Sequence, residues 1–191
     1  MGGRRVKDFV SLCDLAPTFL EAAGLVPGKQ MTGRSLVEIL KSEREGRIEE
    51  GRSFVLTGLE RHVQENPGRA IRTADFLYIR NRNTDGWESG EAKGGRKRFA
   101  FEERHWPNDG GAFSFNIDPS PTKQLMLDLR DSGDERAKGL LDLSFGQRAK
   151  EELFDIKKDP WQMRNVAGEA EYAEELKRMR ERLETELSKL R

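Results

Sequence analysis

Glu152-Leu153-Phe154-Asp155-Ile156-Lys157-Lys158-Asp159-Pro160-Trp161-Gln162-Met163-Arg164-Asn165-Val166 carries the clearest local instructions in this 191-residue chain. Leu153 and Phe154 are strand formers. Asp155 and Asp159 can bond nearby backbone N–H groups, and Pro160 presets a turn. The stretch therefore reads as a strand end, a tight Asp-Pro turn and a polar exit. From about Glu169 to Leu190 a helix follows. Its Tyr172, Leu176, Met179, Leu183, Leu187 and Leu190 step by four and three residues and form one apolar stripe. Three heptads is marginal for a coiled coil, so the spacing predicts a helix laid on a sheet. Glu174 and Arg178 are spaced as an i,i+4 ion pair.

Working back from that stretch, Ser53 to Thr57 reads as a strand. Ala70-Ile71-Arg72-Thr73 and Phe76-Leu77-Tyr78-Ile79-Arg80 read as a hairpin turning at Ala74-Asp75. Residues 82–119 form a long inserted loop, rich in Gly, Asn, Asp and charge, with interspersed aromatics; loops of this length are usually functional or pinned by their own side chains. Pro121 suits the first position of a helix running to about Leu129, and a second helix is expected over Asp134 to Leu143. Near the N-terminus, Ser11 and Asp14 have capping-box spacing. A helix is expected from about Asp14 to Pro17 onward, with Leu15, Phe19, Leu20 and Ala23 as its apolar face and Gly24 as its end. Ser35 can cap a short helix over Leu36 to Leu40. Lys41 to Arg52 reads as a solvated loop or a frayed extension.

Composition bounds the function. Lys+Arg and Asp+Glu each number 34, so the formal charge is zero and there is no bulk attraction to nucleic acid or to an anionic membrane. Hydrophobic residues make up 35% and charged residues 36%, which is polar for a globular chain: either the core is small or some surface meets a partner. No apolar run approaches a membrane span. Cys13 is the one cysteine, so no intrachain disulfide can form. Its place in an apolar helix start suggests a buried, inert thiol. No export signal is visible, and the compartment is left open.

Four blocks in order resemble the type I sulfatases, the formylglycine enzymes of the alkaline phosphatase superfamily. Val10-Ser11-Leu12-Cys13-Asp14-Leu15-Ala16-Pro17-Thr18-Phe19-Leu20-Glu21-Ala22-Ala23-Gly24 is similar to the helix that closes their large domain, and Gly33-Arg34-Ser35-Leu36 to the block that follows. Arg69-Ala70-Ile71-Arg72-Thr73 through Asn81 is similar to a hairpin of their small C-terminal domain, and Glu152 to Val166 to the end of that domain. Ser120 to Leu127, with the long loop before it, resembles the heparan N-sulfatase subgroup (N-sulfoglucosamine sulfohydrolase).

The resemblance implies an α+β fold: a small antiparallel sheet of about four strands with a long C-terminal helix packed on it, preceded by helices from the end of the α/β catalytic domain. Residues 1–50 would end that catalytic domain, and 51–191 would be the C-terminal domain. The implied parent hydrolyses a sulfate ester or sulfamate, on sulfated sugars, and is often exported. It uses a formylglycine nucleophile and calcium, neither of which this chain supplies. Cys13 lacks the C-x-P-S-R context, and there is no Asp-Asp, Asp-Asn or Asp-His pair to begin a calcium site. The expectation is a sulfatase fragment that is inactive alone, contributes fold and pocket rim, and has the missing N-terminal catalytic domain as its partner. The other reading is a free-standing, non-catalytic carbohydrate-binding or subunit-interaction module.

His62, Arg69 and Arg72 are the candidate substrate-binding residues. His62 follows a strand, where a rim contact or an ordinary loop histidine would each sit. The two arginines could fork onto a sulfate or carboxylate, or stay wetted on the strand. His105-Trp106 and Arg96-Lys97-Arg98 read as parts of a pinned, solvated loop.

Overall fold

A computed structural model describes residues 3–61, 65–82 and 121–190. Four antiparallel strands, β1 (Val55–Arg61), β2 (Glu65–Arg72), β3 (Phe76–Asn81) and β4 (Glu151–Asp155), lie in sheet order β1-β2-β3-β4. Helices α1 (Leu15–Ala22) and α2 (Val37–Lys41) precede the sheet. Helices α3 (Pro121–Asp131) and α4 (Glu135–Phe145) lie between β3 and β4, and α5 (Ala173–Ser188) ends the chain. The α+β class and the C-terminal helix are as the sequence predicts. Two units are distinguished: residues Met1–Thr57, Ala70–Tyr78 and Leu153–Arg191 in the first, Gly58–Arg69 and Ile79–Glu152 in the second.

The core of the first unit is the stripe of α5 against the sheet. Met179 and Leu183 are fully buried with Ile71, Tyr78 and Leu153, and Val166 and Tyr172 close the cluster. Phe76 and Tyr78, alternate residues on β3, both join it. Phe76 meets Tyr172 edge to face, with ring centroids 6.4 Å apart. Burying each of Met179 and Leu183 is worth about 1.5–3 kcal/mol. Leu190, at the end of the stripe, is exposed. Arg178 pairs with Glu175 rather than with Glu174 as the i,i+4 spacing predicts. Positions three and four apart are both neighbours on a helix, and here the nearer turn wins.

The Glu152–Val166 stretch works as a clasp. Asp155 Oδ1 accepts N–H bonds from Lys157 and Lys158 (both 3.1 Å), and its other oxygen accepts from the Tyr172 hydroxyl at 3.3 Å. Asp159 donates its N–H to Asp155 O (2.7 Å) and accepts from the Arg164 N–H (2.8 Å). Asn165 Oδ1 accepts from Leu153 and Ala167 N–H, while Val166 N–H returns to Leu153 O at 2.9 Å. Asp155, Asp159 and Asn165 thus satisfy backbone N–H groups that the turn would otherwise leave unpaired. Ile156 N–H reaches Asp75 O at 2.8 Å, tying the clasp to the β2–β3 turn.

In the second unit α3 and α4 form a helical hairpin. They are joined through Gly133, whose φ of 89° turns the chain, and Asp134 caps α4 by accepting the Ala137 N–H at 2.8 Å.

At the N-terminus a 3-10 turn, Leu12–Asp14, leads into α1 at Leu15, and Gly24 at φ 75° ends the helix. The inward face of α1 differs from expectation. Pro17 and Thr18 are the buried residues, whereas Leu15 and Phe19 are exposed. The apolar face exists, but it points away from the part of the protein that α1 packs on. Cys13 is likewise exposed, not buried, because it belongs to the outward side of the turn.

Candidate functional site

The densest polar constellation among the described residues is built around Arg52, whose side chain is only 1% exposed. Its Nη1 donates to Asp14 Oδ2 at 2.9 Å and its Nε to Glu49 Oε2 at 2.8 Å. Its Nη2 donates to the carbonyls of Arg34 and Ser35 at 2.9 and 2.7 Å. Asp14 also accepts N–H bonds from Arg34 (2.8 Å) and Ser11 (3.0 Å). Burial pushes the Asp14 carboxyl up. The N–H groups of Arg34 and Ser11 and the Arg52 guanidinium outweigh that and hold its pKa below the ordinary aspartate value.

The neighbouring residues complete a clamp. Thr18 donates its hydroxyl to Asp14 O (2.6 Å) and accepts the Leu36 N–H (2.9 Å). A Cβ on Gly33 would lie 1.9 Å from Cys13 O, so only glycine lets the two segments meet. Ser35 Oγ accepts the Val37 N–H at 3.2 Å at the start of α2. The two N-terminal sequence blocks are therefore two halves of one clamp, with Arg52 as its bolt. Reading Lys41 to Arg52 as solvated missed this. Asp8 accepts the N–H groups of Ile48 and Glu49 (2.8 and 2.7 Å), which fixes the same run from the other side. The available signal was an arginine directly before a strand, downstream of an unpaired helix-cap aspartate.

The clamp has the composition of a site but not the openness of one. Every carboxylate oxygen of Asp14 is filled by an N–H donor, and Arg52 spends its donors on protein acceptors. Among the described residues, no group of three or more His, Cys, Asp or Glu is placed to hold a metal ion. A groove of about 390 Å³ lies beside the clamp in the first unit, bordered by Phe9, Cys13, Arg34, Phe54, Glu186 and Leu190.

Of the candidate substrate-binding residues, His62 lies outside the described residues, as do His105-Trp106 and the Arg96 run. Arg69, on β2, is folded back across β1. Its Nη1 donates to Gly68 O (2.8 Å) and Leu59 O (3.3 Å), and its Nη2 pairs with Glu60. Gly58 leaves the room for it, since a Cβ there would sit 3.1 Å from Arg69 Cδ. An anion reaching Arg69 would have to displace Glu60. Arg72 is half-buried, and its Nε has no acceptor among the described residues. Three positions apart on one strand, the two arginines point to opposite faces and do not converge. Trp161 is 82% exposed on the clasp, beside Gln162, whose φ of 57° is unusual for a residue with a side chain.

No family model matches the chain. Among curated proteins it is similar to an ulvan-active sulfatase of Formosa agariphila, 27% identical over 179 residues, which are 92% of this chain and 24% of that protein. Among solved structures it is similar to a protein in complex with its substrate D-glucosamine-2-N,6-O-disulfate, with 23% identity and a TM-score of 0.52. A second is a 2-O GAG sulfatase, with 18% identity and a TM-score of 0.50. Both matches cover 93% of this chain and 24% of the other. The sequence homology is thus to a sulfatase, and the chain spans about a quarter of the length of that curated relative. The structural likeness is one of fold.

Proposed function

We propose that this chain is the C-terminal part of a sulfatase, contributing a folded domain and pocket rim to an enzyme whose chemistry resides elsewhere. The observation that carries this reading is coverage: nearly all of this chain matches about a quarter of a sulfatase. The quoted blocks agree with it: Asp14, Thr18, Asp155, Asp159 and Asn165 accept backbone N–H groups within them. In this reading residues 1–50 end the catalytic domain and 51–191 form the C-terminal domain.

The reaction is hydrolysis of a sulfate ester or sulfamate on a sulfated sugar. The likeness of Ser120 to Leu127 to the heparan N-sulfatases favours an N-sulfated glucosamine. Formylglycine would supply the nucleophile and calcium would neutralise the sulfate oxygens. The residues described here do not fit either group. The carboxylates of Asp14 and Asp155 are already occupied by N–H donors, and Cys13 is followed by Asp14-Leu15-Ala16-Pro17. No step of the reaction is therefore assigned to this chain. His62, Arg69 and Arg72 remain its proposed rim residues, with Arg69 released from Glu60 when a sugar anion binds.

The test is an aryl sulfate and a sulfated disaccharide assayed with the purified 191-residue chain, with calcium and with a formylglycine-generating enzyme. The expected result is no turnover. Calcium-dependent turnover abolished by Cys13→Ala would overturn the reading. Saturable disaccharide binding by the chain alone would instead favour a free-standing carbohydrate module.

A further inference from the structure

The groove beside the clamp joins two stretches of the first unit, residues 9–56 and the end of α5. Much of its wall is apolar: Phe9, Phe54, Val55, Leu56 and Leu190. A guanidinium covers one face of each phenylalanine. The Arg47 guanidinium carbon lies 5.9 Å from the Phe9 ring centroid, and that of Arg182 lies 5.0 Å from the Phe54 centroid. Arg182 also donates to the Ser53 hydroxyl at 3.1 Å, which fixes it over the ring. The charge of the groove is one-sided. Glu186 accepts from Lys189 through both oxygens, each at 2.9 Å, and Asp14 is filled by Arg52 and two backbone N–H groups. Arg34 has no carboxylate partner for its side chain among the described residues. Its Nη1 donates to Gly51 O at 3.1 Å, while its Nε and Nη2 have no acceptor among those residues.

We propose that this groove binds a small amphiphilic anion, with its apolar body against the phenylalanines and one carboxylate head on Arg34. The volume of about 390 Å³ lies within the range of roughly 300–1,000 Å³ usual for small-molecule sites. A guanidinium presents parallel N–H donors that suit a carboxylate, and two donors of Arg34 are unspent. The Ser11 and Thr32 hydroxyls line the same groove and can donate to a second oxygen. A cationic head would face Arg34, with Arg47 and Arg182 over the rings, and no unpaired carboxylate on the lining. An uncharged head would leave the free donors of Arg34 unanswered. The site goes beyond the sulfatase reading and does not depend on it.

Octanoate, octanol and octylamine share one apolar body and differ in the head group. Each is titrated calorimetrically into the purified 191-residue chain. Cys13, exposed on the groove lining, reports locally through its rate of alkylation. Octanoate should bind saturably, about tenfold or more tighter than octanol, as one charge-assisted hydrogen bond provides. It should also slow Cys13 alkylation severalfold, and octylamine should do neither. Arg34→Gln should bring octanoate down to the level of octanol, whereas Arg34→Lys keeps the charge without the fork and should retain part of the difference. Arg34 serves the clamp through its backbone, so both substitutions leave those bonds in place. Thr32→Trp, at an exposed position on the lining, should fill the groove and weaken octanoate and octanol alike. Circular dichroism checks that each variant is folded; should one unfold, the other and the octanoate–octanol comparison decide. No octanoate binding, or equal affinity for octanoate and octanol, would overturn the proposal. Binding that neither Arg34→Gln nor Thr32→Trp alters, or that leaves Cys13 alkylation unchanged, would also overturn it and put the anion elsewhere on the chain.

Discussion

The C-terminal helix and the N-terminal helix start from the same kind of sequence and end in opposite arrangements. Both carry an apolar stripe at helical spacing, and upstream of each an aspartate holds backbone N–H groups, Asp14 before one and Asp155 before the other. In α5 the stripe is the core: Met179 and Leu183 are fully buried against Ile71, Tyr78 and Leu153. In α1 the stripe is outside, and what holds the helix is polar: Asp14, Thr18 and the buried Arg52. Periodicity reports that an apolar face exists. It does not report whether the surface that covers it lies in the same chain. The polar anchor of α1 is the stronger clue, because a buried ion pair is costly to assemble and is tolerated only where its partners are fully satisfied.

The comparison breaks most sharply at Arg52. Arg52→Ala leaves Asp14 buried and without its cation, and should cost about 3–5 kcal/mol. Urea unfolding followed by tryptophan fluorescence and by circular dichroism would measure it. A loss below about 1 kcal/mol would mean that the clamp is decorative and that α1 is held by something else. On the other side of the comparison, Leu183→Ala should cost about 2–4 kcal/mol from lost burial and the cavity left behind. An unchanged Tm would show that α5 is not docked.

Acid separates the two regions more gently. The folded-state pKa of Asp14 is depressed, as is that of Asp8. At Asp8 burial again works upward and is outweighed by the Glu49 and Ile48 N–H bonds and the nearby Arg47 charge. Depressed carboxylates add stability above their unfolded pKa of about 3.9, and that stability is lost as pH falls through the lower folded value. The N-terminal segment should therefore loosen below about pH 4, before the apolar core around α5. Amide exchange at Arg34 and Ile48, whose N–H groups bond these carboxylates, would report it. Equal exchange onset at Leu183 would count against a polar anchor distinct from the core. The smallest effect is at Cys13, which is exposed: alkylation in the folded chain should go to completion and change the unfolding free energy by no more than about 0.5 kcal/mol, as for other exposed positions.

Much of this was legible in the residues themselves. The Asp-Pro clasp, the β2–β3 turn, Pro121 opening α3 and Asp134 ahead of α4 follow from local propensity, where the partner of each group is near in sequence, and the α5 stripe follows from its spacing, which marks a face without naming what covers it. Arg52 could not be found that way. Apart from Glu49, its acceptors lie 17, 18 and 38 positions off in sequence, at Ser35, Arg34 and Asp14. Cys13 and Phe19 were misplaced for the complementary reason: hydrophobicity argues for burial, but burial needs a neighbour. Arg69 reads from sequence as either an anion-binding fork or a wetted strand residue, and neither reading foresees that Gly58 lets it fold onto β1 and meet Glu60. A glycine opposite a long side chain was the overlooked sign.

The end of β3 holds one more consequence. Asn81 donates its N–H to Lys150 O at 2.8 Å, and its side-chain amide bonds both Ala149 O and Glu152, across 68 and 71 positions of sequence. The chain thus leaves β3 at Asn81 and re-enters the sheet on the neighbouring strand at Glu151. Replacing the segment between them with a turn of about four residues would shorten the closed loop about seventeenfold, which by chain-closure entropy favours the folded state by roughly 2–3 kcal/mol, set against whatever packing α3 and α4 provide. The two strands are therefore expected to keep their pairing when the segment between them is shortened, which a variant with the short turn and its unfolding free energy would check.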